Sequence, residues 1–256
     1  MTDDRALPPG WAYVHFDEID STNAEALRRA AAGVHGPLWL TADRQTSGRG
    51  RSGRPWLSAP GSVAATLLFS PGCTLGALPQ VSLVAGVAAH DAIASLLPQA
   101  IQPRCRLKWP NDVMIDGAKV SGILVESTTR GSEPVVAIGI GINAGAAPAL
   151  ADRLATGLAE HGPAAASAAM GAVLAAALAR WLDIWLDPVA GFPAIRSAWL
   201  ARGYPPGEAM TVHADGVKVA GAFAGLEPDG SLLLRIEGNE IRSFSFGDVA
   251  LGASRV

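Results

Sequence analysis

The sequence predicts an α+β protein, with a large domain over residues 1–203 and a small β-domain over residues 204–256. Three observations predict it. Up to Arg202, runs with the two-residue alternation of strands interleave with runs of helical period. At Gly203-Tyr204-Pro205-Pro206-Gly207 the texture breaks, and roughly fifty residues of short β-type runs follow. With 256 residues, 49% hydrophobic and 17% charged, the chain holds ample material for a sizeable core.

Taken in order, residues 11–20 alternate apolar and polar as a strand. Ser21-Thr22-Asn23-Ala24-Glu25 then opens a helix, with Thr22 and Glu25 spaced as a capping box and Gly33 as its stop. Ser21 and Thr22 either cap this helix or point hydroxyls from a strand-to-helix corner into a pocket, and spacing alone favours the cap. Pro37–Asp43 and Ser62–Ser70 are the next strands. From Pro79 a helix keeps its period through Val81, Val84, Ala88, Ala92 and Leu96, and it ends before Pro98. Leu107–Ile115 is two short extended runs broken by a Trp109-Pro110-Asn111-Asp112 turn. Ordinary turn chemistry explains Pro110 and Asn111 better than it explains Lys108 and Asp112, opposite charges on either side of the turn.

Asp116-Gly117 is a hairpin signal, leading through Lys119 into a strand over Val120–Glu126. A lone lysine at a strand start is ordinarily a solvated edge residue. In the next strand, Pro134–Ile142, Gly139 and Gly141 alternate along one face and clear space for something to lie against the sheet. Asn143 at its end is either a turn residue or a hydrogen-bonding group for a ligand. Ala151–Asp187 reads as helical, stopped by Asp187-Pro188, and a further helix runs from Phe192 to about Arg202. The β-type runs beyond it are Ala209–Ala214, Val217–Ala224, Ser231–Ile236, Ile241–Phe246 and Val249–Leu251. Asp215-Gly216 and Asp229-Gly230 are hairpin turns between them, and together they read as a small β-barrel.

Bulk properties exclude several classes. A net charge of −3 gives no global basic field for nucleic acid or an anionic membrane. Cys73 and Cys105 have neither disulfide-framework nor metal-ligand spacing, so both are expected as inert thiols. Met1-Thr2-Asp3-Asp4-Arg5 lacks the apolar run of a signal peptide. The uncharged run Ala164–Ala179 is mostly alanine, and its large residues Met170, Leu174 and Leu178, with Trp181, Leu182 and Trp185 beyond it, repeat at helical spacing. It therefore reads as a core helix rather than a membrane span. The expected location is cytoplasmic.

Against this acidic background stands Gly48-Arg49-Gly50-Arg51-Ser52-Gly53-Arg54-Pro55-Trp56, with three glycines and three arginines in its first seven positions. Glycines let backbone N–H groups approach an anion, and guanidinium groups fork onto carboxylate or phosphate oxygens. Arg/Gly runs are also common in solvated loops. Anchorage between two strands favours a binding loop, and the acidic whole favours a small anionic ligand over a polyanion.

These blocks together resemble the biotin–protein ligases, also called biotin–[acetyl-CoA-carboxylase] ligases. The resemblance rests on Asp20-Ser21-Thr22-Asn23, Gln45-Thr46-Ser47 leading into the arginine stretch, Lys108-Trp109-Pro110-Asn111-Asp112, Lys119–Glu126 and Gly139-Ile140-Gly141-Ile142-Asn143. It covers nearly the whole chain and implies a mixed-sheet catalytic domain of the biotin/lipoate ligase type with an SH3-like C-terminal β-barrel. It further implies ATP and biotin as substrates, with Mg²⁺ held mostly by phosphates and water. Biotin's carboxylate attacks the α-phosphate to give biotinyl-5′-adenylate, and a lysine of a biotin carboxyl carrier domain of acetyl-CoA carboxylase or a related carboxylase then takes the biotin.

Residue by residue, the resemblance assigns catalysis to Arg49, Arg51, Lys119 and Asp112. Biotin binding falls to Ser21, Thr22, Asn23, Gln45, Gly48, Arg49, Gly50, Arg51, Lys119 and Gly122, and the adenylate to Arg51, Arg54, Trp56, Lys108, Asn111, Lys119 and Asn143. Asp112 has two possible roles, holding Mg²⁺ or orienting the acceptor amine. Gly122 and the Gly139/Gly141 face would let the ligand's ring and chain lie on the sheet, with Trp56 folding over the adenylate as the loop orders. Two departures stand out. Ser52 occupies a position often basic in the family, and Gly252 sits where a C-terminal basic residue for the adenine would be sought first, leaving Arg255 as a candidate by position alone. The early position of Ser21-Thr22-Asn23 suits the ligase-only class and implies no operator binding; a homodimer is left open. Lipoate or octanoate ligation is the alternative reading.

Overall fold

The computed structural model describes residues 7–130, 133–150, 154–162 and 167–252. The N-terminal pentapeptide, parts of the 151–187 segment and Arg255 lie outside them. Seven strands form one mixed sheet: β1 (Ala12–Ile19), β2 (Leu38–Gln45), β3 (Val63–Phe69), β4 (Cys105–Lys108), β5 (Asp112–Ile115), β6 (Ala118–Arg130) and β7 (Glu133–Ile142). Their order is β1-β2-β3-β7-β6-β5-β4; β1 and β2 run parallel and every other pair is antiparallel.

Strand alternation divides the helices between two faces. Helix α1 (Thr22–Ala31) packs Ala26 and Ala30 on Leu38, Leu40, Leu68, Val135 and Ala137. The opposite face, with Trp39, Leu67, Ile138 and Ile140, carries α2 (Leu78–Leu96), α3 (Ser167–Leu186) and α4 (Gly191–Arg202). Asp91 on α2 ties these three together, accepting from Arg180 at 2.7 Å and Trp181 at 2.9 Å on α3 and from Arg202 at 2.6 Å on α4. Burial works against that carboxylate, but His90, Arg202 and Trp181 outweigh it and hold its pKa well below the ordinary 3.8.

Helix α3 contains an 18-residue window long and apolar enough to cross a membrane. Its large side chains, Met170, Leu174, Leu178, Trp181, Leu182 and Trp185, are buried in the core, as their spacing predicts. Both cysteines are free thiols; burial pushes that of Cys105 up to about 12.

The helical reading of 151–166 fails in its described part. Lys119 donates its N–H to Leu154 O and accepts from Thr156 N, both at 3.0 Å, so residues 154–156 are extended against β6. Only a short turn, Leu158–Glu160, follows. Alanine content suggested a helix; Thr156 and Gly157 are weak helix formers, and pairing with β6 satisfies the backbone instead.

The C-terminal strands β8 (Ala209–Ala214), β9 (Val217–Leu226), β10 (Leu232–Arg235), β11 (Ile241–Phe244) and β12 (Asp248–Leu251) form an antiparallel sheet in the order β11-β10-β9-β8-β12. Its interior is continuous with the main core: the Trp199 and Phe223 rings lie 6.2 Å apart at 60°.

Candidate active site

The site lies on the α1 face of the sheet, where the helix begins and leaves strands uncovered. Register fixes its floor. Asp112, Gly122, Gly141 and Ala64 stand in one cross-strand row over β5, β6, β7 and β3. Leu124, Gly139, Thr66 and Leu40 make the next row. Above this floor is a cavity of about 600 Å³.

At one end is the corner between β1 and α1. Asp20 takes both Arg28 Nη atoms at 2.8 Å, which holds its pKa down to about 2, and accepts from Ser21 N at 2.7 Å. Ser21 is the helix N-cap, its Oγ accepting from Ala24 N at 3.4 Å; Thr22, predicted as the cap, is the first helical residue. That shift of one position frees the Thr22 hydroxyl for the cavity. It donates to Gln45 Oε1 at 3.0 Å, and the Thr22 N–H donates to the same oxygen at 2.8 Å. Thr66 Oγ1 lies 2.8 Å from both Thr22 Oγ1 and Asn23 Oδ1. Asn23 donates to Leu124 O at 3.1 Å and Glu126 Oε2 at 2.9 Å. Ser21, Thr22 and Asn23 are all buried. Both readings of the corner therefore hold at once, since Ser21 caps while Thr22 and Asn23 build a polar pocket wall.

The space at the floor glycines is taken by site side chains rather than left clear. A Cβ at Gly139 would collide with the Asn23 amide, and one at Gly141 with the Trp56 indole. At Gly122 a Cβ would fall 2.7 Å from Lys119 Nζ and 3.2 Å from the Trp56 ring. Lys119 Nζ stands 5.8 Å from the centre of that ring.

The opposite end is charged. The Trp109-Pro110 turn is docked through the indole, whose Nε1 donates to Gly230 O at 3.1 Å. On either side of it, Lys108 and Asp112 pair at 3.0 Å, and Lys119 closes on Asp112 Oδ1 at 2.5 Å. Strict alternation would put Lys119 on the far face from Gly122; the bulge between Val113 and Met114 brings it round. Burial disfavours the Asp112 carboxylate, but Lys119 and Lys108 outweigh it and hold its pKa below the ordinary 3.8.

The arginine stretch is an ordered excursion between β2 and β3. Gly48 O accepts from Trp56 N at 2.9 Å, Arg54 O from Gly50 N at 2.7 Å, and Arg49 bridges Pro55. Arg51 donates to Asn111 Oδ1 at 3.1 Å and to Gly247 O at 2.8 Å; Arg54 donates to Asp248 Oδ1 at 2.6 Å. Arg49 Nη2 is 3.6 Å from Glu126 Oε1. Partial burial lowers the Arg51 pKa, and the guanidinium stays charged at any working pH.

All the residues assigned to catalysis and substrates line the cavity except Gly48, where a Cβ would fall 2.6 Å from Trp56 O and 2.9 Å from Gln45 Nε2; Ser52 and Gly252 do not line it, and Arg255 lies outside the described residues. Asn143 lines it and is buried, its Nδ2 donating to Thr156 O at 3.2 Å. Its Oδ1 and the Trp56 Nε1 are buried polar atoms without a hydrogen-bond partner among the described residues. Sequence reasoning passed over Thr66, Glu126 and Asp248. Thr66 carried a signal, as the one polar side chain in the wholly buried run Val63–Phe69. Asp248 carried none, because its partner is nearly two hundred positions away.

The carboxylates here do not form a magnesium site. Both oxygens of Asp112 face ammonium groups, and Asp248 is engaged by arginines. The one group of three metal-type ligands among the described residues, His15, Asp17 and Asp43, is exposed on β1 and β2 and does not line the cavity.

Residues 15–143 match the biotin/lipoate A/B protein ligase family, and residues 207–252 match the biotin protein ligase C-terminal domain. A biotin–[acetyl-CoA-carboxylase] ligase of Paracoccus denitrificans is 41% identical over 227 residues, 84% of this chain and 91% of the relative. The ligase of that name from Mycobacterium tuberculosis is 39% identical over 165 residues, 61% of this chain and 58% of the relative. Among solved structures, the biotin protein ligase from Aquifex aeolicus in complex with biotin and ATP superposes with a TM-score of 0.78 at 27% identity, covering 95% of this chain and 99% of that one. Two family models in sequence order, and a relative matched along 91% of its length, show that the chain belongs to the biotin protein ligases.

Proposed function

We propose that this chain activates biotin with ATP and transfers it to a lysine of a biotin carboxyl carrier domain, of acetyl-CoA carboxylase or a related carboxylase. One observation carries the reading: a single cavity joins a buried hydroxyl-and-amide corner to Arg49, Arg51, Arg54, Lys108 and Lys119, with Asp112 and Asp248 as the acidic side chains lining it. It is net positive inside a chain of net charge −3. Such a cavity suits a neutral polar ring whose anionic tail must meet a second anion.

In the first step a biotin carboxylate oxygen attacks the α-phosphorus, the new O–P bond forms, and the bond to pyrophosphate breaks. Charge builds on the phosphoryl oxygens, where fixed cations lower the barrier most. Arg51 and Lys119 are assigned to those oxygens and Arg49 to the carboxylate. Thr22, Gln45 and the Ser21–Asn23 wall suit the ureido ring, which offers N–H donors and a carbonyl acceptor. Asp112 holds Lys108 and Lys119 at fixed spacing, and Asn143 and Trp56 offer their unpaired polar atoms to the ligand. In the second step the acceptor amine attacks the anhydride carbonyl, AMP leaves, and the amine's proton passes to solvent or to a phosphate oxygen. Mg²⁺ is proposed to enter on the phosphates of ATP.

Residues 1–203 would bind the substrates, with 204–256 completing the phosphate end. Two free thiols and the resemblance support a cytoplasmic protein; sedimentation with and without ligands tests for a dimer, and a low-salt gel shift tests the expected lack of DNA binding. The deciding experiment is ATP–pyrophosphate exchange with and without biotin, followed by label transfer to a carrier domain. Exchange that needs biotin supports the reading. Exchange and transfer driven by lipoate in place of biotin would replace it.

A further inference from the structure

Three consecutive residues of the C-terminal domain, Gly247 to Val249, each engage a different cation of the large domain. Gly247 O accepts from Arg51 Nη2 at 2.8 Å, Asp248 Oδ1 from Arg54 Nη2 at 2.6 Å, and Val249 O from Lys108 Nζ at 2.9 Å. Asp248 Oδ1 also stands 3.7 Å from Arg51 Nη2.

Their placement is firm. Asp248 and Val249 are paired in register with His213 and Val212 of β8. Gly247 is at φ +144°, and a Cβ there would lie 3.0 Å from His213 O, so the bend that presents its carbonyl to Arg51 needs glycine. On the other side, the loop tip Arg51–Gly53 is a single turn with Ser52 and Gly53 in the left-handed region. Beyond the loop's own contacts, among them Arg54 Nε donating to Arg51 O at 3.4 Å, the side-chain hydrogen bonds of Arg51 and Arg54 go to Asn111 of the large domain's turn and to Gly247 and Asp248. A loop this rich in glycine loses much backbone entropy on closing, and something must offset that loss.

We propose that Asp248 is a positioning residue for ATP: by holding Arg54 it keeps the arginine loop closed against the C-terminal domain and sets Arg51 for the phosphate. The inference rests on the ligase reading of the cavity. Asp248 is not a stability device. The side chains of Arg54 and Asp248 are 42% and 46% exposed, and an ion pair that exposed adds little to folding stability. Its effect therefore falls on ATP use and on loop order, leaving the melting temperature and biotin affinity in place.

The test uses the full chain in biotin-dependent ATP–pyrophosphate exchange. Asp248→Asn and Asp248→Ala are expected to raise KM for ATP about tenfold, the loss of one charge-assisted hydrogen bond. KM for biotin should stay within about twofold and the melting temperature should hold, while trypsin cuts faster after Arg49 and Arg51. Asp248→Glu, which keeps the charge, should recover most of the ATP affinity. In an Arg54→Ala background, Asp248→Ala should add less than about twofold, because the partner is already gone.

An unchanged ATP KM in both Asp248 variants overturns the proposal, as do fully additive effects with Arg54→Ala. A lower KM would make Asp248 a competitor of phosphate for Arg54 and overturns it equally. Absence of biotin-dependent exchange in the unmodified chain is a different failure, that of the ligase reading itself.

Discussion

At the scale of single residues, Asp112 is the group on which the site's charge depends. Two ammonium groups converge on it, at 2.5 and 3.0 Å, and removing any member leaves a charge uncompensated. Lys119→Ala is expected to lower biotinyl-adenylate formation by roughly a hundredfold or more, since it removes a fixed cation from the reacting oxygens; near-normal pyrophosphate release would refute that role. Asp112→Asn should cost roughly 3 kcal/mol of stability at neutral pH by stranding the lysines. The acid limb gives an independent check. The folded pKa of Asp112 is depressed, so its stabilising effect is complete above the unfolded value near 3.8 and disappears as pH falls through the lower folded value. Thermal melts between pH 5 and pH 2 should therefore fall more steeply for the natural chain than for Asp112→Asn. Parallel curves would count against the assignment.

Legibility at this scale followed distance along the chain. Ser21, Thr22, Gln45 and Lys108–Asp112 sit in local patterns, a strand end or a charged turn, that can be noticed without a fold. Thr66 was visible as a hydroxyl where only apolar groups belong. The partners of Glu126 and Asp248 were not visible, because a carboxylate on a strand reads as solvated until the fold brings an amide or a guanidinium to it.

Among the elements, β7 and the arginine loop belong together, because the groove along Gly139 and Gly141 is filled by Asn23 from α1 and by Trp56 from the loop. Glycine alternation showed that something lies on the strand; whether a ligand or a neighbouring side chain fills it is settled only in three dimensions. Gly141→Ala would drive a methyl group into the indole. The expected result is a loss of ligand affinity of at least tenfold with a smaller loss of stability, since Trp56 is only partly buried and belongs to a loop; calorimetric titration with biotin measures it. Hydrogen exchange across residues 44–56 should slow on adding biotin and ATP, because the loop's glycines give it a loosely held ground state. Equal protection in both states would refute closure on the ligand. Residues 154–162 have the converse lesson: alanine propensity counted for less than the backbone pairing with Lys119 at the start of β6.

At the scale of the whole molecule, one apolar core joins the two sheets. Trp199 is buried between the helices and Phe223 of the second sheet, and Trp109 fastens the charged turn to Gly230. Trp199→Ala should lower stability by about 3–5 kcal/mol. Calorimetry should still show a single transition, and two separated transitions would mean that the domains fold independently. The division into a large α+β part and a small β part was readable from texture, since period changes survive without an alignment. The way the parts interlock was not, because it depends on carbonyls at Gly230, Gly247 and Val249 that any sequence supplies.

That interlock has a consequence for biosynthesis. A ribosome delivers the chain in order, and the corner around Thr22 and the row from Asp112 to Ala64 depend only on residues made early. Arg51, Arg54 and Lys108 wait for Gly247, Asp248 and Val249, more than a hundred codons downstream of the last of the three. A nascent chain released before that point would carry the pocket corner, with Arg51 on Asn111 and Lys108 on Asp112, but would leave Arg54 without its carboxylate and within reach of a polyanion. Trapping stalled chains of increasing length and assaying retention on heparin would show whether that exposure ends as the second sheet's last strand emerges.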